Sequence, residues 1–307
     1  MNTKKFTFTG ANGYILNGII WVPECTPTKI VQVTHGMTEH IGRYSDLAKE
    51  LTSNGIVLAG FDLRGHGANA VDTDCASFNI DGWENSIEDM HLFFDHLNNE
   101  FPDVPHYMMG FSLGSFLLRE YLNIYPNGIS GSIIMGTGYQ PKIITSLLML
   151  VVKGQIKRYG FNNTTKLVQD LSFGTYNKKF RPNSTDSDWL CSDKEQLYNY
   201  LNDNLCKKSI SSGLFYQLLN SMNNTAGNHT YDNWNKHMPV LLISGMNDPV
   251  GNFGDGVTTL RNKMIDNGIT NITTFLLFDA RHDILHEKIN GTVNYVYKIL
   301  IEWINNG

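Results

Sequence analysis

The stretch "HYMMGFSLGSFLLREYL" (residues 106–122) decides the fold. A largely apolar run climbs to the turn Gly110-Phe111-Ser112-Leu113-Gly114, and an apolar helical pattern resumes after it. A packed core has no use for a lone serine with a glycine two residues to each side. A reactive hydroxyl does. The glycines fit a sharp strand-to-helix turn in which a side chain at 110 or 114 would strike the neighbouring backbone.

The same rhythm extends in both directions. "KIVQVTHG", "IVLAGFDLRGHG", "ISGSIIMGTG", "MPVLLISGMND" and "ITTFLLFDARHD" read as buried strands. Between them, "GRYSDLAKELTSNG", "NSIEDMHLFFDHLNNEF" and "FGDGVTTLRNKMIDNG" have helical spacing, and "ILHEKINGTVNYVYKILIEWI" reads as a closing helical region that takes in His286. The opening "KKFTFTGANGYILNGIIWVP" reads as a β-hairpin. Apolar runs alternating with amphipathic helices predict an α/β fold: a mostly parallel central sheet with helices on both faces. Residues 137–235 break the rhythm, with helix-like pieces at 141–153 and 194–204 and no central strand. They are expected to form an inserted helical cap, leaving 1–136 and 236–307 as the core domain.

Bulk composition narrows the function. The chain has 307 residues, 41% of them hydrophobic and 17% charged, with a net charge of -5. These values describe a globular chain with ample core and give no electrostatic case for a nucleic-acid partner. The four cysteines, Cys25, Cys75, Cys191 and Cys206, have no metal-finger spacing and read as free thiols of a reducing, cytoplasmic compartment. The N-terminal lysines precede no apolar signal region, and "IITSLLMLVV" (143–152) is too short to span a bilayer.

G-F-S-L-G fits the nucleophile-elbow pattern G-x-S-x-G. Serine needs a base, and the base needs an orienting acid. In this strand–turn–helix context the acid and then the histidine follow at strand ends. "LLISGMNDPVG" puts Asp248 just beyond one strand, and "LLFDARHDILHE" puts His282 just beyond the next. Ser112, Asp248 and His282 are the candidate triad by position. Asp255, Asp279 and Asp283 are rival acids, with Asp279 placed at a strand end and Asp283 as a helix cap. His286 is the rival histidine. Backbone N–H groups of Leu113, after the nucleophile, and of Met37, after His35-Gly36, are the expected oxyanion-hole donors. His35 is expected to shape its loop. His40 and Phe111 are placed at the substrate pocket. In "DLRGHG" buried pairing of Asp62 or Arg64 is expected to hold the sheet edge and the elbow, the alternative being that Arg64 binds an anionic substrate group.

Taken together, "THGMTEHIGRY", "FDLRGHG", "GFSLGS", "GMNDPVG" and "ARHDILHE" resemble the monoacylglycerol lipase and lysophospholipase-like branch of the α/β-hydrolase superfamily. The resemblance runs from the hairpin to the last helix and is weakest across the cap. It implies the α/β-hydrolase fold, Ser112 as nucleophile, Asp248 as acid, His282 as base, Met37 and Leu113 as oxyanion amides, and hydrolysis of carboxylic esters with the acyl chain under the cap. It implies no cofactor and no metal. The partners expected are a small-molecule acyl ester, with transient contact with a lipid surface, and the chain a monomer or small homo-oligomer. Where that branch often carries His-Ser-Met at the elbow, this chain has Phe111-Ser112-Leu113.

Other readings use the same residues. A short-chain carboxylesterase, or a proline-type aminopeptidase or amidase, would share the triad. An aminopeptidase would want acidic cap residues, for which Asp186, Asp188, Asp193 and Glu195 are candidates. The i,i+4 pair His282 and His286 has zinc-helix spacing without the accompanying Glu. A non-catalytic ligand-binding protein has no need of an intact triad.

Overall fold

The computed structural model describes residues 1–70 and 72–307, including the side chains of all of these but Asn228 and His229. The chain opens with the expected hairpin, β1 (Asn2–Thr9) against β2 (Ile15–Val22). Asn12 (φ 55°) and Gly13 (φ 75°) turn it. The parallel strands are β3 (Lys29–Thr34), β4 (Ile56–Phe61), β6 (His106–Phe111), β7 (Gly131–Met135), β9 (Val240–Gly245) and β10 (Ile272–Leu277). A two-residue strand, β5 (Cys75–Ala76), stands outside the main sheet. Among the described residues the main sheet has the order β1-β2-β4-β3-β6-β7-β9-β10. Among the described residues only its β1–β2 and β2–β4 pairs are antiparallel.

Strands β4, β6, β7 and β9 are buried at every position, which is why they read as unbroken apolar runs. Successive side chains point to opposite faces. Ile30 and Val57 join one core with α2 (Gly82–Glu100), α3 (Leu113–Ile124) and α8 (Asp255–Asp266). Val31 and Leu58 join the other with α1 (Ser45–Ser53) and α9 (Thr292–Asn306). Each fully buried Leu or Ile there contributes about 1.5–3 kcal/mol of transfer free energy.

The strand order places the site. After β3 the chain adds β4 on one side, then returns to add β6 on the other. The loops leaving β3 and β6 therefore diverge at one point on the carboxyl edge, where open α/β sheets hold their ligands. "THGMTEH" and Ser112 leave from those two strands.

Between β7 and β9 lies the inserted cap region. It contains α4 (Lys142–Tyr159), α5 (Lys166–Ser172), α6 (Lys194–Asn202), the two-residue β8 (Ser209–Ile210) and α7 (Ser212–Asn224). β8 pairs in parallel with β5. Among the described residues no helix is long and apolar enough to cross a membrane.

Two sequence expectations are corrected here. His286 is not in the closing helix: it sits in a loop, and α9 begins only at Thr292, after Asn290 (φ 56°) and Gly291 (φ 73°). Asp283 caps no helix, because Arg43 and His286 take its carboxylate instead. Asp279 lies two residues past the end of β10, in an exposed turn at φ 58°.

Candidate active site

Ser112 stands at the β6–α3 turn with φ 50° and ψ −115°. A non-glycine residue in that region costs roughly 1–3 kcal/mol, so its surroundings must impose it. They do. A Cβ on Gly110 would lie 2.3 Å from Gly114 O, and one on Gly114 would lie 2.1 Å from Thr34 O. Ser112 N donates to Met135 O (3.0 Å), while Ser115 N and Oγ donate to Ser112 O (2.8 and 2.6 Å). The turn thus raises the Ser112 side chain at the N-terminus of α3, whose dipole favours developing negative charge.

Asp248 is fully buried in the loop after β9. Its Oδ1 accepts from Val250 N (2.8 Å), and its Oδ2 from Ser244 Oγ (3.0 Å). His282 Nδ1 lies 2.9 Å from the same Oδ2. With that nitrogen donating to the carboxylate, the imidazole keeps Nε2 as its free acceptor. The rival acids are elsewhere: Asp255 and Asp279 are exposed, and Asp283 is bound to Arg43 (2.6 Å) and His286 (2.8 Å). His286 and His282 face different partners and share no site.

The loop after β3 is held by groups that sequence reading passed over. Glu39 Oε1 accepts from Gly36 N (2.7 Å) and Tyr44 Oη (2.8 Å), and its Oε2 from Arg43 Nε (2.9 Å). Arg43 continues to Asp283, so a buried chain of charges ties the Met37 loop to the His282 loop. Burial works against the Asp283 charge, but His286 and Arg43 outweigh it and hold the carboxyl well below its usual range. His35 Nε2 accepts from Leu63 N (2.9 Å) and Nδ1 bonds Gly36 O (2.7 Å), the loop-shaping part expected of it. Among the described residues, the N–H groups of Met37 and Leu113 have no protein acceptor.

A cavity of about 870 Å³ opens over these groups. Gly36, Met37, Phe111, Ser112, Leu113 and His282 form its floor. The cap supplies an apolar wall from Ile144, Leu148, Phe215, Leu218 and Met222. Trp189 lines it too, whereas Phe180 and Tyr216 do not: they lie under Arg281 and Lys153. Asp186 lines the cavity. Asp188 instead accepts from Ser184 N and Thr185 N, Asp193 caps α6, and Glu195 is exposed.

The expectation for His40 is corrected. It does not line the cavity, because its ring is turned to Asp203 Oδ2 (2.8 Å) and Gly42 N (3.2 Å). His40, Asp203 and Cys206 bring potential metal-ligand atoms within 4.8 Å of one another. Both nitrogens of His40 are already engaged, and burial raises the Cys206 thiol far from the thiolate form. The trio fits hydrogen bonding better than ligation. Arg64 is also no ligand site: it makes a bidentate pair with Asp89 (2.6 and 2.8 Å) and bonds Ala11 O (2.7 Å), fixing the first hairpin turn to α2.

Known proteins share this arrangement of chain. The family model described as serine aminopeptidase, S33, matches residues 26–289. Human monoglyceride lipase is 22% identical over 305 residues, covering 96% of this chain and 88% of its own. A monoacylglycerol lipase from Mycolicibacterium smegmatis is 26% identical over 133 residues, so the match spans 43% of this chain and under half, 46%, of that one. Among solved structures, a thermostable carboxyl esterase from Bacillus coagulans superposes with a TM-score of 0.90 at 26% identity, covering 100% of this chain and 99% of that one.

Proposed function

This chain belongs to the serine aminopeptidase S33 family of the α/β-hydrolase superfamily, a family of serine hydrolases, and from that premise we propose that it cleaves monoacylglycerol or lysophospholipid-type acyl esters through an acyl-enzyme on Ser112. The observation that carries the reading is the cavity. An apolar cap wall stands over a strained serine, beside a histidine whose other nitrogen is held by a buried carboxylate.

In this reading Ser112 Oγ attacks the ester carbonyl carbon and His282 Nε2 takes its proton. Asp248 keeps the imidazole oriented and offsets its positive charge. The carbonyl electron pair moves onto oxygen, which the N–H groups of Met37 and Leu113 receive. Each such donor contributes about 3–4 kcal/mol of transition-state stabilisation. Collapse expels the alcohol, which takes the proton from His282. Water, deprotonated by the same nitrogen, then releases the acid. The acyl chain lies along Leu148, Phe215, Leu218 and Met222, and Phe111 forms part of the floor.

We also place the cap boundaries at about residues 137 and 235, and the chain in a reducing cytoplasm, which suits four free cysteines. The exposed apolar residues of α4 suit transient contact with a lipid surface. One observation favours a second reading: Asp186 in the cavity offers a carboxylate to a substrate ammonium, as a proline-type aminopeptidase requires.

The test is hydrolysis of p-nitrophenyl esters from acetate to palmitate, beside a monoacylglycerol, a lysophospholipid and a proline arylamide, with Ser112→Ala as control. Turnover of long acyl esters, lost in the variant, supports the proposal. A short-chain optimum makes the protein a general carboxylesterase. Arylamide cleavage without ester cleavage moves it to the peptidases.

A further inference from the structure

Two aromatic rings pack on His282. Phe111 comes from the core, its ring centroid 4.9 Å from the imidazole at an interplanar angle of 34°. Trp189 comes from the cap, at 5.1 Å and 38°. Trp189 is only 6% exposed and is wedged against Phe173 (5.8 Å, 20°) and Tyr176 (4.9 Å, 63°).

The cap segment around Trp189 is fastened to the histidine's own loop. His282 N donates to Trp189 O (3.4 Å), and Asp283 N to Leu190 O (2.7 Å). Arg281 Nη1 donates to Asp188 O and to Cys191 O. Glu287 binds both sides: its Oε1 accepts from Ser192 N (2.8 Å) and Asp193 N (3.2 Å), and its Oε2 from Arg281 N (3.1 Å). Residues 188–193 are therefore bonded to the loop that carries His282.

The charged and titratable groups around the imidazole have assigned partners. Asp248 holds Nδ1. Asp283 faces Arg43 and His286, and Arg281 faces cap carbonyls and the Phe180 ring. Glu287 is taken by backbone amides. Tyr176 is pushed up to about 12 by burial and by Asp248, so its hydroxyl is neutral at working pH. Ser112 lines the same cavity.

On the reading of His282 as the base, we propose that Trp189 is a positioning residue that fixes the imidazole plane and stabilises the imidazolium formed while Ser112 attacks. An aromatic face attracts a cation within about 6 Å of its centroid, and indole does so most strongly. The positive charge exists only after the proton has passed from Ser112 Oγ to Nε2. The interaction therefore strengthens between ground and transition state, and it acts on kcat rather than on substrate binding.

The test uses the full chain with Trp189→Phe and Trp189→Leu, a short soluble ester such as p-nitrophenyl butyrate, and kcat and KM across pH. Trp189→Leu is expected to lower kcat about fivefold with KM within about twofold, and to move the acid limb of the kcat/KM profile down by about half a pH unit. Trp189→Phe should fall between it and the wild type in both readouts. If Trp189→Leu does not fold, the direction of the smaller shift in Trp189→Phe decides. An acid limb that stays in place, or moves up, overturns the proposal whatever happens to kcat. That is what lost packing or water entry would give. Wild-type protein without Ser112-dependent esterase activity would sink the reading of the site and this proposal together. An active, Ser112-dependent wild type with unmoved limbs sinks only the part given to Trp189.

Discussion

His282 Nδ1 and Asp248 Oδ2 stand 2.9 Å apart with side chains 2% and 0% exposed, so the hydrogen bond between them forms out of reach of water. Asp248→Asn keeps the shape of the side chain but presents an amide in place of the acceptor carboxylate. We expect kcat on a p-nitrophenyl ester to fall by about 10³–10⁴, with an unchanged far-ultraviolet circular dichroism spectrum. A loss under tenfold would remove Asp248 from the acid's role.

The elbow should tolerate no added methyl. At Gly114 a Cβ would meet Thr34 O at 2.1 Å and His35 O at 2.8 Å, both immovable backbone. Gly114→Ala is expected to cost about 3 kcal/mol or more in urea unfolding. Gly154, inside α4, is the control, because nothing lies within 4 Å of its absent Cβ. Gly154→Ala should leave stability unchanged or raise it by up to about 1 kcal/mol. Equal effects at the two positions would refute the steric argument.

Acid should destabilise the fold well above the pH at which carboxylates titrate. Burial lowers His35 to about 4, and His66 and His106 to about 3, from an ordinary value of 6.5. All three are neutral when folded, and each takes up a proton on unfolding below about pH 6.5. Their stability is fully present above that pH. It is lost as pH falls from about 6.5 towards 4 and 3, each group adding about 1.4 kcal/mol per pH unit within its window. Urea unfolding at pH 7.5 and 5.5 measures the loss. His106→Phe removes one such group, so the difference between the two pH values should shrink. An unchanged difference would count against a neutral buried His106.

Contact with a lipid surface, if α4 makes it, should separate dispersed from soluble substrates. Ile143, Leu147 and Leu150 are 72%, 60% and 67% exposed, at spacings that put them along one side of the helix. The double change Leu147→Ser with Leu150→Ser is expected to lower turnover of vesicle-borne monoacylglycerol about tenfold. The rate on p-nitrophenyl butyrate should stay within about twofold of the wild type. Equal losses on both substrates would place these residues in packing instead.

The sheet was legible because β4, β6, β7 and β9 are buried along their whole length. The residues proposed for the site follow strand ends: Ser112 comes directly after β6, Asp248 lies in the loop after β9 and His282 in the loop after β10. What the sequence hid is held by partners distant along the chain. Glu39 and Arg43 look like an ordinary i,i+4 surface pair until Asp283, 240 residues away, joins them. His286 lies outside α9 because the chain breaks at Asn290-Gly291, a step that the helical reading of "ILHEKINGTVNY" runs through. Upstream of that step the loop is held by Glu287, whose carboxylate accepts from the amides of Ser192, Asp193 and Arg281. In the cap, α5 is short, and the buried side of α7 is set by contacts with α3 and α4, which a local pattern does not show.

The stitching of the insertion to the core sorts it into frame and arm. Residues 188–193 are bound to the loop of His282. Lys207 N reaches Thr38 O, Lys208 N reaches Asp74 O, and Ser211 N reaches Ala76 O. At α7, Gln217 holds the carbonyls of Asn79 and Ile80, and Arg119 holds that of Thr225. These seams make a fixed scaffold, and α4 and α5 lean on α7 from outside it. An exchange of α4 and α5 for those of a relative would alter the side of the cavity that Ile144 and Leu148 form, while leaving Phe215, Leu218 and Met222 of α7 and the frame in place. On the proposed function, one side of the substrate cavity can thus be altered without disturbing the loops that carry Ser112 and His282.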